Sequence, residues 1–381
     1  MSEWKRVKLR DLLEEYCEKN IDQQYKVVAV GKYGIRRRED IYTKELSKDI
    51  SKNKIIMKDT LTIGMGSNQI DIGILIDDCK FCVSPAYTTY KIKNCNSEFL
   101  KYYMEYLNLK LSDLFMIVSA RQGKSVDKDG LLKYEVMLPP IGEQEKIVEI
   151  LKTIDSIIEK YKSLLEEKNQ FIKSLFVEMF GDIKNDNFKC VPIKKLVDTN
   201  ISKVKKKYTS DDIIKYIDIS SIDNVKNEII GYTKYNIGNE PSRAQQCLIK
   251  GDILISTVRP NLKNIAVNNF NDDNVVGSSG FCVLRPKSCK ADYLLEVLKS
   301  EKFTNDMVAV TTGSNYPAIH STDILNYEIS VPPMELQNKF ADIVKQIDKQ
   351  KFLLEKQKQN YENLRKGLMQ KLLTGKVRVK I

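Results

Sequence analysis

The chain has 381 residues, room for two or three domains, with the composition of a soluble globular protein. No apolar run approaches a membrane span and the N-terminal MSEWKRVKLRDLLEE has no signal-peptide core, so no membrane association and a cytoplasmic location are expected. A net charge of +11 favours a polyanionic partner without naming it.

In chain order, most segments occur twice. WKRVKLRDLL at 4–13 matches FKCVPIKKLV at 188–197, each an aromatic followed by alternating apolar positions. KDTLTI at 58–63 matches GDILIS at 251–256, an offset of 193 residues. VSPAYTTYKI from Val83 aligns with GSSGFCVLRP from Gly277, and SEFLKYY with ADYLLEV, an amphipathic helix in each half. GLLKYEVMLPP and DILNYEISVPP are strand-like runs feeding a Pro-Pro pair, which ends extended chain and opens a helix. Short Val/Ile/Tyr-rich runs alternate with turn-rich loops and one or two helices, which predicts α+β units with mostly antiparallel strands. The chain therefore reads as a tandem duplication, each unit a globular domain of about 140 residues plus one long helix. The loops differ most: GKYGIRRRED at 31–40 has no counterpart in KYIDISSIDNVKNEIIGYTKY, and SARQGKSVDKD at 119–129 faces TTGSNYPAIHSTD at 311–323. A duplicated scaffold with divergent loops suits two related binding sites of different specificity.

The long helices carry the clearest periodicity. From Glu143 to Phe180 there is no Pro or Gly, and apolar residues recur every seven. Ile147, Ile154, Tyr161 and Leu175 form one row, broken only by Lys168; Leu151, Ile158, Leu165, Ile172 and Met179 form the other. Such a helix would span roughly 55 Å. The second copy keeps Phe340, Ile347, Leu354, Tyr361 and Leu368, but its other row is Val344, Lys351, Lys358, Arg365 and Leu372.

No catalytic constellation emerges. The chain lacks a phosphate-binding G-x-x-x-x-G-K-[ST] loop, and TLTIGMGSNQIDIG has Gln69 where a dinucleotide fingerprint needs its third glycine, so it reads as a turn between strands. The single histidine, His320, has nothing in YPAIHSTD to orient it as a catalyst. Cys79 and Cys82 form one CxxC without a second, so no metal site is expected, and Cys82 and Cys282 read as buried reduced thiols. The residues describe a binding protein.

Two globular units, each followed by a long helix opened by Pro-Pro, resemble the specificity (S) subunit of type I restriction–modification systems. The resemblance lies in LPPIGEQEKIVEILKTID and VPPMELQNKFADIVKQID, in SLFVEMFGD and LRKGLMQKLLTGKVRV, and in VSPAY and GDILISTVRPN…SSGFCVLRP. It implies an α+β fold with an internal pseudo-two-fold repeat: two tandem target recognition domains of mixed α/β structure separated by two long antiparallel coiled-coil helices. The implied boundaries are recognition domains at 1–140 and 183–333, a central conserved spacer helix at 141–182 and a C-terminal one at 334–381. It further implies double-stranded DNA as partner, each domain reading one half-site, with two methyltransferase (M) subunits docked on the helices and restriction (R) subunits joining them. No cofactor is expected in this chain; S-adenosylmethionine, and ATP with Mg for restriction, belong to those subunits. The polar middle of the second helix (Gln350, Lys351, Gln357, Lys358) departs from a plain seam; it meets Glu159, Glu166 and Glu167 of the first helix or faces a partner.

DNA affinity comes mainly from Lys and Arg on phosphates, and sequence is read by Arg on guanine and Asn or Gln on adenine. The candidates are Arg36, Arg37, Arg38, Ser67, Asn68, Gln69, Arg121, Gln122 and Lys124 in the first domain, and Arg243, Arg259, Asn261, Lys263, Ser314, Asn315 and Tyr316 in the second. The basic run 365–380 reads as a solvated or M-facing surface. Two alternatives stand beside this reading: the S subunit of a two-subunit system with fused methyltransferase and nuclease, and a coiled-coil scaffold without DNA contact.

Overall fold

The computed structural model describes residues 3–31, 34–38, 49–64, 66, 69–119, 123–311 and 317–380. The chain divides into two compact units, Met1–Lys162 with Lys356–Ile381, and Ser163–Glu355. Each unit takes part of both long helices, Ile141–Phe180 and Met334–Leu373. Among the described residues no helix is long and apolar enough to cross a membrane.

The duplication extends to strand register. In the first unit a four-stranded sheet runs in the order Leu13–Glu15, Thr88–Ile92, Thr60–Ile63, Ile72–Leu75. In the second the order is Val197–Asp198, Phe281–Pro286, Ile253–Ser256, Ile265–Val267. Thr60 pairs with Lys91 and Ile253 with Leu284, the same rung 193 residues later. This register corrects one sequence alignment: Val83 corresponds to Val276, not Gly277. The helix Ser97–Phe115 keeps the alignment of SEFLKYY with ADYLLEV, so one residue is inserted just before the second copy's helix.

The hairpin that seemed unmatched also has a counterpart. In the first unit Val28–Gly31 pairs with Gly34–Arg37, and a parallel rung joins Val27 to Cys82. In the second Ile213–Ile217 pairs with Thr233–Asn236 and lies parallel to Val275–Ser278. The difference is the connection: two residues in the first unit, the stretch 218–232 in the second. Loop length hid the equivalence.

Both Pro-Pro junctions are closed by a glutamine, each 1% exposed. Gln144 donates its amide to Pro139 O (2.8 Å) and accepts from Asn96 N (2.8 Å). Gln337 donates to Pro332 O (2.8 Å) and accepts from Lys290 N (2.9 Å). A strand end, the long helix and the N-terminus of a packed helix are thereby fixed by one side chain, whose buried polar atoms are satisfied.

All fourteen apolar seam positions (Ile147, Leu151, Ile154, Ile158, Tyr161, Leu165, Ile172, Leu175, Phe340, Val344, Ile347, Leu354, Tyr361, Leu368) are buried or half-buried. In the first unit the two helices run antiparallel: the Tyr161 and Tyr361 rings stand 5.7 Å apart, and Arg365 bridges Asp155 and Glu105. The outer seam positions do more than pair helices. Ile147 and Leu151, with Met369, Leu372 and Leu373, enter the first unit's core, packed against Phe99, Leu100 and Leu111. In the second unit Phe176 and Phe180 stack with Tyr293 and Phe340 at centroid distances of 5.1–5.8 Å. Those edge-to-face and stacked pairs add to their area burial.

The polar middle of the second helix is resolved in part. Tyr161 OH donates to Gln357 (3.0 Å) and Lys351 pairs with Asp348 of its own helix (3.6 Å). Glu159, Glu166 and Glu167 bind Lys162, Gln170 and Ser163 along their own helix. The basic run 365–380 is also not uniformly solvated. Arg365 is held by two carboxylates, and Arg378 makes two 2.8 Å bonds to Glu143, whose side chain is 2% exposed. Trp4 Nε1 (3.0 Å) and Val379 N (3.2 Å) complete that clamp. Arg378 foremost holds the Glu143 carboxyl below its ordinary range.

Candidate nucleic-acid interface

In the first unit the strand Gly34–Arg37 places Arg36 and Arg37, both exposed, beside Ile72–Leu75 and the helix Ser97–Phe115. The three elements enclose a cleft of about 670 Å³ lined by Ile35, Ile72, Ile74 and Met104 together with Arg36, Arg37 and Gln69. Gly73 has to be small there, since a Cβ would lie 2.6 Å from the Ile35 side chain.

The loop that ends at Gln69 is locked at its base. Gly64 N donates to Asp71 O (2.8 Å), and Ile70 is bracketed by Ser112, which receives its N–H (2.9 Å), and Asn108, which donates to its carbonyl (3.1 Å). Gly66 has φ +65°, and a Cβ there would stand 1.8 Å from Gln69 O, so this position requires glycine. Burial raises the Asp71 carboxyl, opposed by a hydrogen bond from the Gly66 backbone. Ser67, Asn68, Arg121 and Gln122 lie outside the described residues, as does the side chain of Lys124; Arg38 is half-buried.

In the second unit four backbone links gather Arg243, the turn 278–280, the loop 257–263 and residues 317–319 along a common edge formed by strand ends of two sheets. Ser279 N donates to Arg243 O (2.7 Å), Thr257 N to Gly280 O (3.0 Å), Arg259 N to Pro317 O (2.8 Å) and Ile319 N to Thr257 O (2.9 Å). Gln246 fixes the turn from beneath, donating to Ser278 O (2.8 Å) and Phe281 O (2.9 Å). Arg243, Arg259 and Asn261 are exposed on this edge, whereas Lys263 is drawn into an ion pair with Glu301. Ser314, Asn315 and Tyr316 lie outside the described residues. The buried Asp252, bidentate with Arg285 (2.8 and 2.9 Å), anchors the strand feeding the loop.

A cationic turn beside this edge escaped the sequence reading. Lys203 forms a rung with Gln246, and Lys205, Lys206 and Lys207 follow on the short helix Val204–Lys207. Only Val204 faces the core; Lys203, Lys205 and Lys206 are exposed, and Lys207 reaches Asp273 O (2.6 Å). The run KVKKK was the available signal. Cys82 Sγ is fully buried against Tyr25 O (3.1 Å), Cys282 is buried, and His320 is an exposed residue preceding the short helix Ser321–Asn326.

The first unit thus presents the exposed Arg36 and Arg37 beside the half-buried Gln69, and the second the exposed Arg243, Arg259 and Asn261, an arrangement suited to a polyanion with readable edges. Comparison with known proteins agrees. The family model for the type I restriction modification DNA specificity domain matches residues 1–167 and again 185–361. The type I restriction enzyme MjaVIII specificity subunit of Methanocaldococcus jannaschii is 26% identical over 370 residues, covering 89% of this chain and 83% of that one. The S subunit of a type I restriction-modification system from M. genitalium has the same fold, with a TM-score of 0.53 at 16% identity over 97% of this chain and 96% of that one. A chain from a study of complex assembly and conformational transition in the type I R-M system gives 0.52 at 15% identity, with 98% of both chains covered. Matched twice over most of its length, the chain belongs to the type I restriction modification DNA specificity domain family and carries two such domains in tandem.

Proposed function

We propose that this chain is the non-catalytic recognition subunit of a type I restriction–modification complex, reading a DNA site in two parts, one per unit. The observation that carries this reading is the duplicated four-stranded sheet, whose rungs match while the segments around it differ and carry the exposed Arg36 and Arg37 in one unit and Arg243, Arg259 and Asn261 in the other. Phosphate contacts from the lysines and arginines would supply affinity, and the loop amides and guanidiniums would supply base readout. Methyltransferase subunits, expected as two copies, bring S-adenosylmethionine, and restriction subunits bring ATP and Mg; the long helices are their expected docking surface. The complex would act in the cytoplasm.

The test is to co-express the chain with its methyltransferase partner and sequence the methylated bases of the host. The expected motif has two specified blocks separated by unspecified positions. A single contiguous block, or methylation unaltered by deleting this chain, refutes the proposal.

A further inference from the structure

The loop at the second unit's edge has an unusual backbone. Arg259 (φ 51°, ψ 63°) and Lys263 (φ 51°, ψ 42°) both adopt the left-handed conformation on either side of the tight turn Pro260–Leu262. L-residues seldom do so. The position 193 residues before Arg259 is Gly66, whose φ of 65° is also positive, so glycine stands in the first unit where the second has a cation.

Something outside the loop holds it. Inside the turn, Leu262 N bonds Arg259 O (2.9 Å) and Lys263 N bonds Pro260 O (3.0 Å). The carbonyls of Leu262 and Lys263 instead accept from the side-chain amides of Asn224 (2.9 Å) and Asn227 (3.1 Å). Both asparagines stand on the stretch 218–232, where a small hairpin pairs Ile222–Asp223 with Glu228–Ile229. Its tip is itself fixed: the Asp223 carboxylate accepts from Val225 N (2.9 Å) and Lys226 N (3.0 Å), and Lys226 pairs with Glu355 of the long helix (2.9 Å). The first unit has two residues at this connection, so only the second possesses the brace.

We propose that Asn224 and Asn227 are positioning residues that fix the loop 259–263 as a reading element, with Asn261 and Arg259 directed to base edges. The proposal rests on the reading of each unit as a half-site reader. A loop held in advance loses less order on binding and discriminates between bases more sharply.

The complex of this chain with its methyltransferase partner is offered a random-sequence duplex library, and selected sequences are counted. In Asn224→Ala/Asn227→Gly, where glycine retains the positive φ of Asn227 (56°), base discrimination within one block should fall about tenfold. The other block, the salt dependence of binding to a non-specific duplex and the melting temperature should stay unchanged, which a general loss of structure would not allow. Asn261→Ala, an exposed truncation, should relax the same block. Full discrimination in the double variant, or a silent Asn261→Ala, overturns the proposal while the wild-type two-block motif stands. If the double variant melts early, Asn261→Ala decides. A wild-type complex that selects no two-block motif refutes the parent reading instead.

Discussion

The clamp around Glu143 gives a prediction whose size follows from its geometry. Position 336, its equivalent in the second unit, is leucine, so Glu143→Leu installs the residue that the other copy uses. The substitution removes the acceptor for Trp4 Nε1, Val379 N and the Arg378 guanidinium. Arg378, whose side chain is 26% exposed, can turn to water. The indole and the backbone N–H are half-buried, and each loses its partner at about 1–1.5 kcal/mol. The net expectation is a loss of about 2–3 kcal/mol from the first unit at neutral pH. Trp4 is the only tryptophan, so urea unfolding followed by its fluorescence reports this unit. Because the clamp lowers the Glu143 pKa, its stabilisation is present above the ordinary value of 4.5 and is lost as pH falls through the lowered folded-state value. The gap between wild type and variant should therefore narrow in acid. A change under about 0.5 kcal/mol at pH 7, or a gap that is constant with pH, would refute the reasoning.

Two further outcomes are expected. Gln144→Ala and Gln337→Ala should each cost about 2 kcal/mol, in their own units, since each strips two strong hydrogen bonds at a fully buried junction, Gln144 losing a weak one from the Cys95 thiol as well; hydrogen exchange resolved by peptide would show unequal costs if the junctions were not equivalent. Replacing Lys203, Lys205 and Lys206 by Gln should reduce the slope of log K against log salt by about 0.9 per phosphate contact removed. An unchanged slope takes that turn off the DNA path.

What the sequence revealed depended on whether the signal was local. The heptad rows of the long helices were legible because a buried stripe recurs on one helix, and all fourteen positions are shielded. The repeat was legible wherever strands kept their length, as at Thr60–Ile63 and Ile253–Ser256. It slipped by one residue over the stretch from Val83, because the single insertion lies further on, just before the second copy's helix, and only the ladder register shows where. The hairpin Gly34–Arg37 looked unmatched because its counterpart's connection is longer. Asn224, Asn227 and Gln246 gave no signal, since their partners are carbonyls distant in sequence. Arg365 and Arg378 looked like surface charge because the carboxylates that bind them lie more than two hundred residues away.

The division of the chain bears on how it is made. The second unit is continuous from Ser163 to Glu355, but the first requires Lys356–Ile381, and Met369, Leu372 and Leu373 lie in its core. At about 5–20 residues per second, the ribosome needs roughly 10–45 s between adding residue 162 and adding residue 381, which completes the segment the first unit requires. The portion translated first therefore matures last. Ile147, Leu151 and Leu12 await their last neighbours throughout that interval, a period in which the nascent chain invites chaperone binding. Slowing translation of codons 356–381 should lower the yield of the first unit selectively, although no codon within that unit's first 162 residues has changed.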